Sequence, residues 1–253
     1  MTARTLLIRG MLVGVIAAGL AFAFARMFGE PQIGAAIAFE NAHTHAHSHA
    51  DVAEPEPVSR AVQSTIGLGV ALLLYGTALG GIFAMAFACC HGRVGALRPR
   101  ATALLVGGLG FVAMFLVPFV KYPANPPAVG EPDTIGRRAT LYFIMVGISV
   151  LAAIGAVIAA RGLAPRLGSW NAVLVAGGAY VAVVAVAGLL LPAVNEVPAD
   201  FPATLLWRFR LASVSVQLVL WGTLGLLFGV LTNRAEQRST APQTMDAGLV
   251  RTG

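Results

Sequence analysis

Apolar runs of about 20 residues recur along the chain, separated by short stretches rich in proline, glycine and charge. That is the length a helix needs to cross a bilayer. In hydrocarbon every backbone N–H and C=O must be satisfied within its own segment, so the runs predict helices. Six spans are expected, at roughly 8–28, 64–89, 101–120, 139–160, 170–191 and 211–231. The first has a second reading as a signal segment, because "ARTLLIRG" is a basic leader and "AFAFA" offers small-residue cleavage sites. Cleavage would leave five spans.

The expected fold is therefore all-α, a polytopic helical membrane bundle over residues 1–231. An outer His-rich loop at 29–63 interrupts it, and a disordered cytoplasmic tail follows at 232–253. Composition agrees: 57% of the 253 residues are hydrophobic and 11% are charged, against about 25% charged in a soluble domain. Orientation follows from the positive-inside rule. With both termini cytoplasmic, ten of the 17 Lys and Arg residues lie inside, and nine of the eleven acids lie outside. The net charge of +6 is thus topogenic. No basic patch with interleaved aromatics points to a nucleic acid.

Two outer stretches echo each other. "LVPFVKYPANPP" starts at Leu116 and "LLPAVNEVPADFP" starts at Leu190. Each leaves a span through a proline, carries Pro-Ala-Asn or Pro-Ala-Asp, and reaches an arginine pair: Arg137 with Arg138, and Arg208 with Arg210. Arg60 sits similarly before the second span. The arrangement suggests three helical hairpins in parallel orientation, a repeat type found in transporters. The bland account is that proline and arginine simply mark membrane ends.

Chemistry concentrates outside. "HTHAHSHA" places His43, His45, His47 and His49 at every second position, on one side of an extended backbone. Imidazole nitrogen suits cobalt, nickel, copper and zinc. Glu40, Asp51, Glu54 and Glu56 could add oxygen ligands and raise the local cation concentration. Asn125, Asp133, Asn195, Glu196 and Asp200 in the echoing loops form a candidate outer mouth. At the inner end of the second span, "CCHGR" offers Cys89, Cys90 and His91 as a candidate exit for a soft metal, although adjacent cysteines lack zinc-knuckle spacing.

Absences narrow the function. Lys121 is the sole lysine, so no Walker-type phosphate loop exists. No Asp or Glu falls within an expected span, which leaves no carboxylate relay for proton coupling. No nucleophile elbow, H-E-x-x-H or dinucleotide fingerprint occurs, so no enzyme and no tightly bound cofactor are expected. Within the spans only softer groups remain, among them Met85, Met114, Met145, Tyr142, Ser149 and Gln217.

At "EPVSRAVQSTIGL", "LVPFVKYPANPPAVGEPDTIGRRATLYF" and "LPAVNEVPADFPATLLWRFRLASVSVQ" the sequence resembles the CbtA family of predicted cobalt transporters, from about Glu54 to Leu231. The resemblance implies a bacterial inner-membrane protein assigned to cobalt uptake, with about five spans and a small one-span partner, CbtB, bearing its own histidine motif. The residues themselves reach only a divalent-metal permease or permease subunit; the resemblance makes cobalt the expected substrate, with nickel or zinc beside it. A non-transporting scaffold or metal-sensing accessory subunit is the alternative.

Overall fold

The structure, a computed structural model, describes residues 2–47, 59–93, 95–127, 129–130 and 132–249. The side chains of 43–47, 132 and 239–249 lie outside that description. Among the described residues every regular element is a helix. Helix α1 (Ala3–Phe24) passes through a π-helical turn (Ala25–Gly29) into α2 (Glu30–His47). One helical turn, α3 (Arg60–Val62), and a second π turn lead into α4 (Leu68–Cys90). Helix α5 (Pro99–Gly110) continues through a third π turn into α6 (Val117–Lys121), and α7 (Ile135–Leu190) and α8 (Ala203–Leu249) follow. Five helices are long and apolar enough to cross a membrane: Ala3–Ala42, Arg60–Cys90, Pro99–Lys121, Ile135–Leu190 and Ala203–Arg238.

Five helices carry the six expected runs because the fourth is broken. A straight 56-residue helix would be about 84 Å long, against a hydrocarbon core of about 30 Å. At Gly168 the backbone takes φ 77° and ψ 156°, a region essentially confined to glycine. The arms then fold back on each other. The Ser149 and Tyr180 hydroxyls meet at 2.8 Å, and Leu141 and Met145 pack with Val184 and Ala187. The expected spans 139–160 and 170–191 are these two arms. Gly168→Ala should cost about 1–3 kcal/mol, read as a lowered Tm in detergent. Gly162→Ala, at a helical site with nothing within 4 Å, should not lower it.

Contacts divide the chain into two units: Met1–Ala21, Gly69–Gly108 and Val219–Gly253 in one, Phe22–Leu68 and Leu109–Leu218 in the other. In the first, α1 and α4 cross antiparallel through paired Gly-x-x-x-Gly steps, Gly10 with Gly14 and Gly76 with Gly80. A Cβ on Gly76 would lie 2.7 Å from the Gly14 carbonyl oxygen and 2.8 Å from Ala18 Cβ. Such close backbone approach is how helices gain packing energy where the surrounding lipid is equally apolar. Phe228 of α8 meets Phe83 and Phe87 of α4 edge-on, at centroid distances of 5.3 and 5.0 Å. Helix α1 is thus half of a backbone-to-backbone crossing in this unit, with Val13, Ala17 and Ala21 fully buried.

Two expectations differ from this backbone. The segment expected to be irregular from residue 232 stays helical to Leu249. Thr232 is buried and accepts a hydrogen bond from Arg9 at 3.1 Å, and the Ala, Glu, Gln and Arg that follow are good helix formers. The histidine segment, expected to be an outer loop, is also helical at its start, through Glu30–His47, so alternate residues there are not held on one side by an extended chain. The side chains of His43, His45 and His47, and the whole of His49, lie outside the described residues.

Candidate functional site

In the second unit the two echoing loops clasp each other. Each loop is gripped by an arginine from the helix that follows the other loop. Arg210 of α8 donates from Nη2 to Asn125 Oδ1 at 3.0 Å and from Nε to the Ala124 carbonyl at 3.3 Å. Arg138 of α7 pairs through Nη1 with Glu196 Oε2 at 3.3 Å. Between them the buried Tyr122 hydroxyl donates to the Pro192 carbonyl at 2.8 Å. Burial pushes the Tyr122 phenol above its ordinary pKa, with the charge of Arg137 pulling partly the other way, so it stays a donor at neutral pH.

The prolines explain why these loops need side-chain partners. Pro123 and Pro192 stand just past the ends of α6 and α7, and proline supplies no N–H to continue a helical ladder. Carbonyls freed there must be met by other donors, and Arg210 and Tyr122 supply them. Glycine sets the closeness of the grip. At Gly130 φ is 109°, and a Cβ would lie 2.9 Å from Arg138 Cζ and from Glu196 Oε2.

A cavity of about 670 Å³ opens against the clasp, lined by Tyr122, Asn125, Arg138, Tyr142, Glu196 and Arg210 among others. A smaller one of about 200 Å³ shares Arg138 and Glu196 with it and adds Arg137. Of the expected mouth residues, the structure brings Asn125, Asn195 and Glu196 to the larger cavity. Asp133 and Asp200 are exposed and do not line it. Asn125 and Glu196 are held by arginines rather than left open as ligands.

Charge decides what the cavity suits. Its described lining carries Lys121, Arg138 and Arg210 against Glu196 alone. A divalent cation about 8 Å from a net charge of +2 meets about 2 kcal/mol of repulsion in water, and more at lower dielectric. Among the described residues no three His, Cys, Asp or Glu side chains gather as a metal site. The hollow that holds three of the expected mouth residues thus has more cations than acids in its described lining.

Of the expected inner exit, His91 has partners of its own. His91 stacks on Phe87 at 5.0 Å and meets Glu236 through Nε2 at 3.2 Å. Cys89 is exposed and Cys90 half-buried, both free thiols. Sequence reasoning missed Glu236, which it assigned to an irregular tail, and read Arg138 and Arg210 only as topogenic charges. The usable signal was the arginine pair after each echoing loop.

Residues 3–233 match the profile of a family described as "Probable cobalt transporter subunit (CbtA)". The chain belongs to the CbtA family. No curated protein and no solved structure matches it. The CbtA match begins at residue 3, so α1 lies within the family's own extent, and it ends in α8. The clasp loops and the Gly-x-x-x-Gly crossing both fall inside the CbtA region.

Proposed function

We propose that this chain is the bilayer-embedded, metal-passing subunit of a bacterial cobalt transporter and that it keeps α1. The reading rests chiefly on the family match over residues 3–233. The histidine segment, with His43, His45, His47 and His49, faces the exterior and concentrates Co²⁺, or Ni²⁺ and Zn²⁺ where these are more abundant. Asp133, Asn195 and Asp200, exposed beside the clasp, give the arriving ion oxygen contacts. Asn125 and Glu196 hold the loops in shape. The word "subunit" in the family description supports a partner, and a small one-span protein of the CbtB kind with its own histidines fits that place.

Two measurements test the histidine part. A peptide covering residues 40–56 should bind Co²⁺, Ni²⁺ and Zn²⁺ at neutral pH and lose them under mildly acid conditions. Protons compete for imidazole near its unperturbed pKa of about 6.5. Equal affinity at both pH values would contradict imidazole ligation. In cells, replacing all four histidines with alanine should lower cobalt accumulation when metal is scarce and change little when it is plentiful. Loss at every concentration would make the histidines obligatory ligands rather than a concentrating device.

The alternative, a non-transporting accessory subunit, draws support from one observation. The described residues offer no three-ligand metal cluster. Cobalt accumulation that needs a second membrane protein and is unaltered by the absence of this chain would favour it.

A further inference from the structure

We infer that the clasp cavity is a binding site for an oxyanion, a carboxylate or phosphate group carrying two or more negative charges. This goes beyond the cobalt reading and stands or falls independently of it.

The argument begins with unanswered positive charge. Glu196 pairs with Arg138. The partners of Arg210 are both neutral oxygens, those of Ala124 and Asn125. Lys121 Nζ lies 5.8 Å from the centroid of the Tyr122 ring and has no carboxylate partner among the described residues. Two cations, Lys121 and Arg210, therefore line one hollow with no carboxylate paired to them among the described residues. Arg138 adds a donor as well as a charge: its Nε is buried without a hydrogen-bond acceptor.

Geometry and size fit the same class. A guanidinium presents its N–H groups in a rigid fork that matches carboxylate and phosphate oxygens, and an ammonium adds a point charge. The hollow is about 670 Å³, within the usual range for small-molecule sites. One wall is apolar, built by Phe115, Phe119 and Val120. Lys121 ends α6 and Arg138 stands in the first turn of α7, so the charges lie where apolar helices begin and end. Both a soluble polycarboxylate and the phosphate of an anionic lipid could reach such a place, and their shared chemistry is what the cavity recognises.

The test uses the full chain in phosphatidylcholine nanodiscs, titrated with citrate or inorganic phosphate and followed by thermal shift, beside discs containing phosphatidylglycerol. Stabilisation by citrate or phosphate in the zwitterionic discs would identify a soluble ligand. Stabilisation only by phosphatidylglycerol would identify a lipid headgroup. Either should weaken about tenfold in Lys121→Gln, the value of one charge-assisted hydrogen bond, and persist in Lys121→Arg. The Tm of each variant without added anion controls for folding. If none of the three anions raises the Tm of the unaltered chain, or if Lys121→Gln responds as strongly, the inference is overturned.

Discussion

Leucine in place of Gly14 or Gly76 is expected to remove most folded protein from the membrane. At this crossing α1 and α4 touch through backbone, and there is no flexible side chain to move aside. A Cβ on Gly14 would lie 2.9 Å from the Gly76 carbonyl carbon, and one on Gly76 would lie 2.7 Å from the Gly14 carbonyl oxygen. The helices must separate to admit even a methyl group. Over-packing typically costs about 1–3 kcal/mol, and leucine adds three further carbons to that first insult. Alanine at either site should lower Tm measurably, and leucine should leave too little protein to purify. Gly19→Leu is the control on the same helix, because Gly19 has nothing within 4 Å. Equal abundance of Gly76→Leu and Gly19→Leu would mean that α1 does not pack on α4.

The clasp should fail in a way that a charge swap can repair. Glu196→Gln leaves Arg138 unpaired in a site where both side chains are mostly buried, 26% and 14% exposed. Removing one partner of such a pair costs about 2–3 kcal/mol, part of it the desolvated charge left behind. Arg138→Gln should cost a similar amount. The double variant Arg138→Glu with Glu196→Arg should recover most of the Tm and of the cobalt accumulation if Glu196 is a strut. If Glu196 is a ligand for the ion, the swap moves its carboxylate and accumulation stays low despite normal abundance. Arg210→Ala is expected to be as damaging as either single change, since it frees both the Ala124 carbonyl and Asn125.

Different physical signals explain which features were legible in the sequence. The helical membrane architecture was open to view, because a run of 20 uncharged residues has few other uses. The two arms of α7 were read as separate spans from their polar junction, although Gly168 joins them without a loop of any length. The Gly-x-x-x-Gly pairing of α1 with α4 was not read, because glycine motifs occur on nearly every helix here and only contacts select the pair that touches. The continuation of α8 was hidden by a polar composition that suits a tail as well as an exposed helix. At the clasp, the loops were found by their echo, and Asn125 and Glu196 were singled out as residues of an outer mouth. Their roles were not legible. A carboxylate in a loop reads as a cation ligand until the arginine that neutralises it is located, and Arg138 lies 58 residues away in sequence. Arginines at membrane ends satisfy the insertion rule, which concealed that two of them also reach across.

Flux of radiolabelled cobalt into liposomes holding only this purified chain tests the central claim most directly. Cobalt should enter faster than into empty liposomes, saturate with concentration, and fall severalfold in Arg210→Ala or Glu196→Gln at equal protein content. A chain that is correctly folded, as shown by an unchanged Tm, yet gives no cobalt entry above empty liposomes, alone or with its one-span partner, would contradict the account.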